Sequence, residues 1–250
     1  MHNIYHKTIP GVGDLNFVLI HNAGGNHLFF THQIDMLRKH GNVTVLDLPG
    51  HGRSLPSKNN GMMASSEIIC SLIQKNKFSN VVLVGLNNGA NIALSACCSG
   101  LTSIKRCILI DPPLFLESGF IGEIEEFIEQ CDKPGCEVFI KELVENLLSR
   151  TSQPNRDIAF NAFMQVDKAS LKSLFRSLIE WDQSSDSLMQ SFNIPTLCIV
   201  TDEHHCRYHQ LQSRAPGFQL AKVVGSKCWA TLEVPEQINA MIDRFLCCSS

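Results

Sequence analysis

The stretch VVLVGLNNGANIALSACC, residues 81–98, decides the fold of this chain. Its first residues form an unbroken apolar run of strand length, and its last residues follow a helical period. Gly85 and Gly89 enclose the segment between the two, and glycine permits a tight turn there. The pattern therefore predicts a buried strand, a sharp turn and a helix, with the amide side chain of Asn87 at the tip of the turn.

Similar apolar runs recur along the chain with helix-length segments between them. The runs are apolar throughout rather than alternating, which is typical of strands buried on both faces of a parallel sheet. We therefore predict a doubly wound α/β fold with a mostly parallel sheet, in which ligands bind beyond the carboxyl ends of the strands. The predicted strands are residues 16–21, 43–48, 81–85, 106–111, 196–201 and 218–224. The predicted crossover helices are residues 28–40, 63–76, 88–99, 205–214 and 235–247.

This rhythm breaks between Asp111 and Pro195, where four amphipathic helical patterns follow one another without a strand. We expect these helices to form a helical lid over the strand ends. The predicted division is a core domain of residues 1–111 and 195–250, and a lid subdomain of residues 112–194. Two polar stretches, residues 54–61 and 182–187, are predicted to be loops.

The composition is that of an ordinary globular protein, with 44% hydrophobic residues and a formal charge of -3. It offers no basic face, so we expect neither nucleic acid nor a membrane as partner. The eleven cysteines are scattered and odd in number, and no signal segment opens the chain, which favours a reducing cytoplasm and free thiols.

The run DEHHCRYH, residues 202–209, is the one tempting metal-ligand cluster. Its spacing matches no zinc motif, and a solvated helix entry explains the same residues. We therefore predict no metal ion and no cofactor. The residues concerned are His204, His205, Cys206 and His209.

Four local patterns, taken in order, resemble the lid-bearing α/β-hydrolases of the esterase and lipase-like branch. They are IHNAGG at 20–25, DLPGHGRS at 47–54, GLNNG at 85–89 and GSKCWATLEVPEQINAMIDRFL at 225–246. The resemblance spans nearly the whole chain from about residue 16 onward. DLPGHGRS is the most specific of the four patterns, and it is a signature of the fold rather than of the chemistry.

The resemblance implies a nucleophile elbow of the form G-x-S-x-G, in which the serine oxygen points at the substrate. Gly85 and Gly89 occupy the two glycine places, and Asn87 occupies the serine place. An amide is a poor nucleophile, since its nitrogen lone pair is delocalised and it has no proton that a histidine could remove. Asparagine does tolerate positive φ. Asn87 either keeps the turn after loss of the nucleophile, which we favour, or hydrogen-bonds a ligand at the pocket floor.

The other two triad places implied by the resemblance are also altered. Alignment puts Cys228 where the histidine belongs and His204 where the aspartate belongs. Asp202 or Glu203 could supply the acid if the loop register shifts, and some relatives take it from the preceding strand, where this chain has Asp111. Because triad members act as a unit, we predict that serine-hydrolase activity is absent.

An oxyanion hole is built mainly from backbone N–H groups, so the resemblance implies that it can outlast the triad. Its candidate donors are the amides of Ala23 and Asn88. Asn22 replaces a glycine of the family pattern H-G-x-x-G, and either adds a polar group to the pocket or caps the turn. Trp229, beside Cys228, is a further candidate binding residue.

These observations favour a non-hydrolytic pseudoenzyme that binds a small, mostly apolar or ester-like molecule between lid and core, or a protein partner. One alternative is an enzyme with other chemistry in the same pocket: a Cys228/His204 hydrolase or acyltransferase, or a non-covalent lyase or isomerase. Another is a scaffold whose pocket is filled by its own side chains. An open apolar cavity over Asn87 would favour a ligand or substrate, and a collapsed one would favour the scaffold.

Overall fold

A computed structural model describes residues 4–58, 60–190, 192–202 and 208–248. Its centre is a seven-stranded sheet with the order β1-β3-β2-β4-β5-β6-β7. β1 runs antiparallel to β3, and the remaining neighbours are parallel. The strands are β1 (His6–Ile9), β2 (Leu15–Ile20), β3 (Gly41–Leu46), β4 (Val81–Leu86), β5 (Ile104–Ile110), β6 (Thr196–Val200) and β7 (Phe218–Lys222).

The predicted fold class is confirmed, and each of the six predicted strands is present. β4 is buried along its whole length, as its unbroken apolar sequence indicates. β1 was not predicted, because its four residues are mostly exposed and too short to show a pattern. Its antiparallel pairing with β3 makes it an edge strand.

Helices lie between the strands and after the last one. They are α1 (Ile34–Leu37), α2 (Met62–Lys75), α3 (Asn88–Cys97), α4 (Ser118–Cys131), α5 (Cys136–Leu147), α6 (Asn155–Gln165), α7 (Lys168–Gln190), α8 (Tyr208–Arg214), α9 (Ala230–Glu233) and α10 (Pro235–Cys248). Short 3-10 helices occupy His27–Phe30 and Leu148–Arg150. Among the described residues, no helix combines the length and apolar character that a membrane span requires.

One predicted crossover helix, residues 28–40, is wrong as a single element. The segment is a 3-10 turn followed by the four-residue α1. The side chain of Asn26 accepts the N–H of Leu28, which favours the tight 3-10 start. In this geometry Phe29 and Phe30 are both fully buried, so core packing replaces the regular helical period here.

The predicted loop at residues 182–187 is also wrong, since these residues continue α7. Their polar groups find partners inside or beside the helix. Ser184 and Ser185 donate their hydroxyls to carbonyls three residues earlier. The carboxylate of Asp182 accepts the N–H groups of Phe115 and Leu116, at 2.7 Å and 2.9 Å. The polar composition of this stretch therefore does not mark the end of a helix.

α3 is packed on all sides, and every one of its ten residues is buried. It follows directly from β4 and contacts α2, β5 and α7. Trp181 of α7 donates its indole N–H to the Ser95 hydroxyl of α3 at 2.6 Å. The turn between β4 and α3 is therefore held by the most buried elements of the molecule, which makes it a rigid place for a site.

Candidate functional site

The turn between β4 and α3 retains the geometry of a nucleophile elbow. Asn87, its tip, has φ 49° and ψ -121°, in a region that non-glycine residues rarely adopt. A Cβ on Gly85 would lie 2.3 Å from the carbonyl oxygen of Gly89, and one on Gly89 would lie 2.2 Å from that of Ile20. Both glycines are therefore required for strand and helix to approach this closely.

The side chain of Asn87 is turned back onto the protein. Its Oδ1 accepts the backbone N–H of Asn88 at 3.0 Å, and its Nδ2 donates to the backbone carbonyl of Asp111 at 3.4 Å. The amide of Asn88 is one of the two predicted oxyanion donors. The side chain of Asn87 therefore occupies one of the backbone N–H groups that the sequence predicts for an oxyanion hole.

Asp111 lies directly behind Asn87, at the end of β5. Its carboxylate is buried, and Oδ1 accepts the N–H and the hydroxyl of Thr201, at 3.3 Å and 3.0 Å. Oδ2 has no hydrogen-bond partner. Burial raises the pKa of Asp111 to about 7, although the hydrogen bonds from Thr201 act in the opposite direction. The carboxyl of Asp111 is therefore close to the midpoint of its ionisation at neutral pH.

The other predicted acids have different surroundings or lie outside the described residues. Asp202 accepts the N–H of Gly225 at 2.7 Å and lies 3.9 Å from the side-chain nitrogens of Arg150 and Lys222. It therefore fixes the loop after β7 instead of facing Asn87. The predicted positions outside the described residues are Glu203, His204, His205 and Cys206. The side chain of His209 is likewise outside the description.

The loop after β2 brings Asn22 and Ala23 to the elbow, and both are buried. The Nδ2 of Asn22 donates to the carbonyl of Ala23 at 2.9 Å, so the side chain does hold its own turn. Its Oδ1 is buried and has no partner. On the α3 side, the Nδ2 of Asn88 is also buried without a partner. Near the elbow, one buried acceptor and one buried donor therefore have no hydrogen-bond partner.

Two buried histidines that sequence reasoning missed hold this loop. His21 accepts the N–H of Leu48 on Nε2, at 2.9 Å, and contacts the carbonyl of Asn22 through Nδ1, at 2.8 Å. His51 accepts the N–H of Gly24 at 3.1 Å. Burial is the main cause that lowers the pKa of His21 to about 3 and that of His51 to about 4. Both are therefore neutral structural groups, and their places within IHNAGG and DLPGHGRS were the available signal.

A cavity of about 180 Å³ opens above the elbow. Its floor contains Asn22, Ala23, Asn87 and Asn88, and Cys228 and Trp229 lie at one side. The walls come mostly from apolar side chains of α4, α5, α6 and α7. These wall residues are Phe120, Glu123, Ile124, Phe127, Leu143, Leu147, Phe163 and Phe175. The cavity is open and largely apolar, and its polar groups are concentrated on the floor.

The loop that carries Cys228 and Trp229 is fixed by a residue that the sequence did not single out. Glu233 accepts the hydroxyl of Ser226 and the N–H of Lys227 on one carboxylate oxygen, at 2.7 Å and 2.9 Å. Its other oxygen accepts the hydroxyl of Thr151 at 2.8 Å. Trp229 packs edge-on against Phe29, with ring centroids 5.8 Å apart.

Metal-binding and disulfide chemistry find no support in the described part of the chain. No three histidine, cysteine, aspartate or glutamate side chains are placed there to hold a metal ion. None of the ten cysteines described forms a disulfide. Cys228 lies on the cavity wall and is partly buried.

Comparison with known proteins identifies the family. The family described as alpha/beta hydrolase fold matches residues 16–206, which is more than half of the chain. The protein belongs to the α/β-hydrolase family. A search of curated proteins gave no match.

Solved structures share the fold at low sequence identity. MenH from S. aureus is 16% identical with a TM-score of 0.81, covering 96% of this chain and 97% of its own. The enol-lactonase from Burkholderia xenovorans LB400 is 16% identical with a TM-score of 0.83, covering 98% and 96%. The hydrolase olei00960 from Oleispira antarctica is 18% identical with a TM-score of 0.85, covering 99% and 95%. At this identity the similarity establishes the fold alone.

Proposed function

We propose that this protein is a catalytically degenerate α/β-hydrolase relative that binds a small, mostly apolar molecule without hydrolysing it. The observation that carries the proposal is the arrangement of Asn87. Its amide stands where a hydroxyl nucleophile would be needed, and its Oδ1 accepts the Asn88 N–H that would otherwise face an oxyanion. Two elements of acyl-transfer chemistry are lost at one position.

The cavity supports binding as the remaining function. It is open instead of being filled by the protein's own side chains, and its walls are aromatic and aliphatic. A largely apolar cavity with a few convergent polar groups is the usual form of a small-molecule site. The inserted helices contribute most of its walls, so we propose that residues 112–194 act as the lid of this site. A reducing, cytoplasmic setting is part of the same proposal and rests on the scattered, odd number of cysteines.

The proposal predicts no covalent acyl chemistry at the elbow. The wild-type protein should not turn over p-nitrophenyl esters above background and should not be labelled by fluorophosphonates. Asn87→Ser should remain unlabelled, because Cys228 stands at the position of the family's general base, and a serine hydroxyl without a base is unreactive. Mass spectrometry of the intact protein after fluorophosphonate treatment measures this, with an active serine hydrolase labelled in parallel. Stoichiometric labelling of the wild-type protein would show that the proposal is wrong.

A thiol enzyme is the second candidate, since Cys228 lines the same cavity as Asn87. A thiolate there could attack an acyl group even without the elbow serine. Iodoacetamide labelling across pH distinguishes the two functions, with Cys228→Ser as the control that removes the site. A measured thiol pKa of about 8.5 at Cys228, the ordinary value, supports the binding function, and a clearly lower one supports the enzyme.

A further inference from the structure

One charged side chain, that of Glu123 on α4, is among the described residues that line the cavity. It is also exposed, so it lies where the cavity opens to solvent. Building on the proposed binding function, we infer that the ligand is a hydrophobic amine. Its protonated nitrogen pairs with the carboxylate of Glu123, and its apolar part fills the cavity beside the inserted helices.

Glu123 stands on the face of α4 that borders the cavity. The residues of this helix that line the cavity are Phe120, Glu123, Ile124 and Phe127. Their spacing, i, i+3, i+4 and i+7, places them on one helix face. The other three are apolar, and Ile124 and Phe127 are buried. Glu123 is therefore a carboxylate within an otherwise apolar stripe, next to the space that a ligand would occupy.

The carboxylate of Glu123 has no counter-ion in the described part of the chain. It forms neither an ion pair nor a hydrogen bond with any residue described there. Lys172 and Arg176 belong to α7, which packs against α4, but both of them pair with Asp132. Glu123 can therefore accept a cation from a ligand without breaking a contact within the described structure.

The charges around the mouth of the cavity favour a cation over an anion. Each charged residue of α4 is acidic, so the helix adds to the negative potential of Glu123. A carboxylate ligand would be repelled there and would meet no cation among the described residues that line the cavity. An ammonium group at the exposed mouth keeps part of its hydration and gains the attraction of Glu123.

The cavity limits the apolar part of the ligand to about one ring. Its volume is about 180 Å³, and a cavity of about 150 Å³ holds a benzene molecule. Phe127 and Phe175 meet edge to face in its wall, with ring centroids 5.2 Å apart. An aromatic ring packs well against such a wall. A phenyl ring joined to an amine by a short chain therefore has the size and the charge that the cavity requires.

Three probes that share a phenyl ring on a short chain test the charge of the ligand: phenethylamine, phenethyl alcohol and phenylacetate. Dissociation constants are measured by NMR titration of the intact protein at neutral pH. The indole N–H signal of Trp229, which lines the cavity, should shift, and that of Trp181, which is bound to Ser95, should not. We expect phenethylamine to bind about 5-fold more tightly than phenethyl alcohol at low salt, and phenylacetate more weakly than either. At about 0.5 M salt this preference should shrink, because salt screens exposed charges.

Variants at two glutamates of α4 separate a local ion pair from the general charge of the protein. Glu123→Gln should bring the affinities for phenethylamine and phenethyl alcohol to a ratio of about 1, and Glu123→Lys should make phenylacetate the tightest of the three probes. Glu125→Gln is the matched control, since Glu125 is exposed on the same helix but does not line the cavity. It removes the same charge and should change the ratio by less than about 1.5-fold. Glutamine and lysine are good helix formers, so all three variants should fold.

The outcomes separate this inference from the proposed function. Equal binding of the three probes to the wild-type protein, or tightest binding of phenylacetate, would overturn the amine while leaving an apolar ligand site in place. An effect of Glu125→Gln as large as that of Glu123→Gln would overturn it as well, and so would titrations in which no probe shifts the Trp229 signal. Fluorophosphonate labelling of the wild-type protein would instead overturn the proposed function.

Discussion

Asp111→Asn is expected to stabilise the protein at pH 8 by up to about 4 kcal/mol. Burial raises the pKa of Asp111 to about 7 from 3.8, so above pH 7 the folded protein must hold a desolvated charge that the unfolded chain holds in water. Asparagine removes that charge. Its Oδ1 can still accept from Thr201, and asparagine tolerates the φ of 49° found at this position.

The expected stabilisation depends on pH in one direction. A carboxyl with a raised folded-state pKa binds its proton more tightly in the folded protein, so its protonation favours folding as the pH falls from about 7 toward 3.8. The difference between variant and wild type should therefore be largest above pH 7 and should vanish near pH 4. Urea unfolding at a series of pH values measures it through the transition midpoint at constant m.

A matched control is Asp35→Asn, since the side chain of Asp35 is 95% exposed. It should change the unfolding free energy by less than about 0.5 kcal/mol at every pH. An equal effect of Asp111→Asn at pH 4 and pH 8 would show that its carboxyl is not the source of the change. The predicted gain would mark Asp111 as part of a site and not as a determinant of folding, because stabilising substitutions are typical where function has been retained at a cost.

The fold could be predicted from the sequence because its deciding features are local. The run of residues 81–86 is apolar at every position, and Gly85 and Gly89 stand where any Cβ would meet backbone. The apolar run and the two glycines can both be identified in the sequence itself. The 3-10 turn at His27–Phe30 and the continuation of α7 through residues 182–187 depend instead on partners far along the chain, as when Asp182 binds the backbone of Phe115.

The sequence brings most of its candidate site residues to one place, but it does not show their internal geometry. Of the eight candidates, six line one cavity: Asn22, Ala23, Asn87, Asn88, Cys228 and Trp229. Asp111 is not among the residues that line it, and His204 lies outside the described residues. The sequence could not show that Asn87 bonds to the Asn88 N–H, because a side-chain rotamer is set by three-dimensional packing. Nor could it show the neutral state of His21 and His51, since a pKa lowered by burial requires the burial to be known.

The second large effect expected is a loss of unfolding free energy as the pH falls, and it arises from His21 and His51. Both have a folded-state pKa well below the ordinary value of 6.5, so the unfolded chain gains two protons on acidification that the folded protein does not take up. Their stabilising contribution is complete above pH 6.5 and is lost as the pH falls. Each proton that the unfolded chain binds and the folded protein does not changes the unfolding free energy by about 1.4 kcal/mol per pH unit.

The slope of the unfolding free energy against pH is therefore set by the difference in bound protons between the unfolded chain and the folded protein. Between about pH 4.5 and 6, the wild-type protein loses stability through His21 and His51 and gains it through Asp111, for a net slope near 1.4 kcal/mol per pH unit. Asp111→Asn should raise this slope to about 2.7 kcal/mol per pH unit. His51→Gln should bring the slope close to zero, because only His21 then binds an extra proton in the unfolded chain, and Asp111 offsets that proton.

His51→Gln also tests the structural role of the ring. At pH 7.5 the variant should be less stable than wild type by about 1–3 kcal/mol, since glutamine cannot reproduce both the bond from the Gly24 N–H and the bond to the Pro49 carbonyl. The exposed His32 provides the control, and His32→Gln should leave the slope unchanged. A variant at His51 that keeps the full wild-type slope would show that its ring is protonated in the folded protein, and that the loop carrying Asn22 is held in another way.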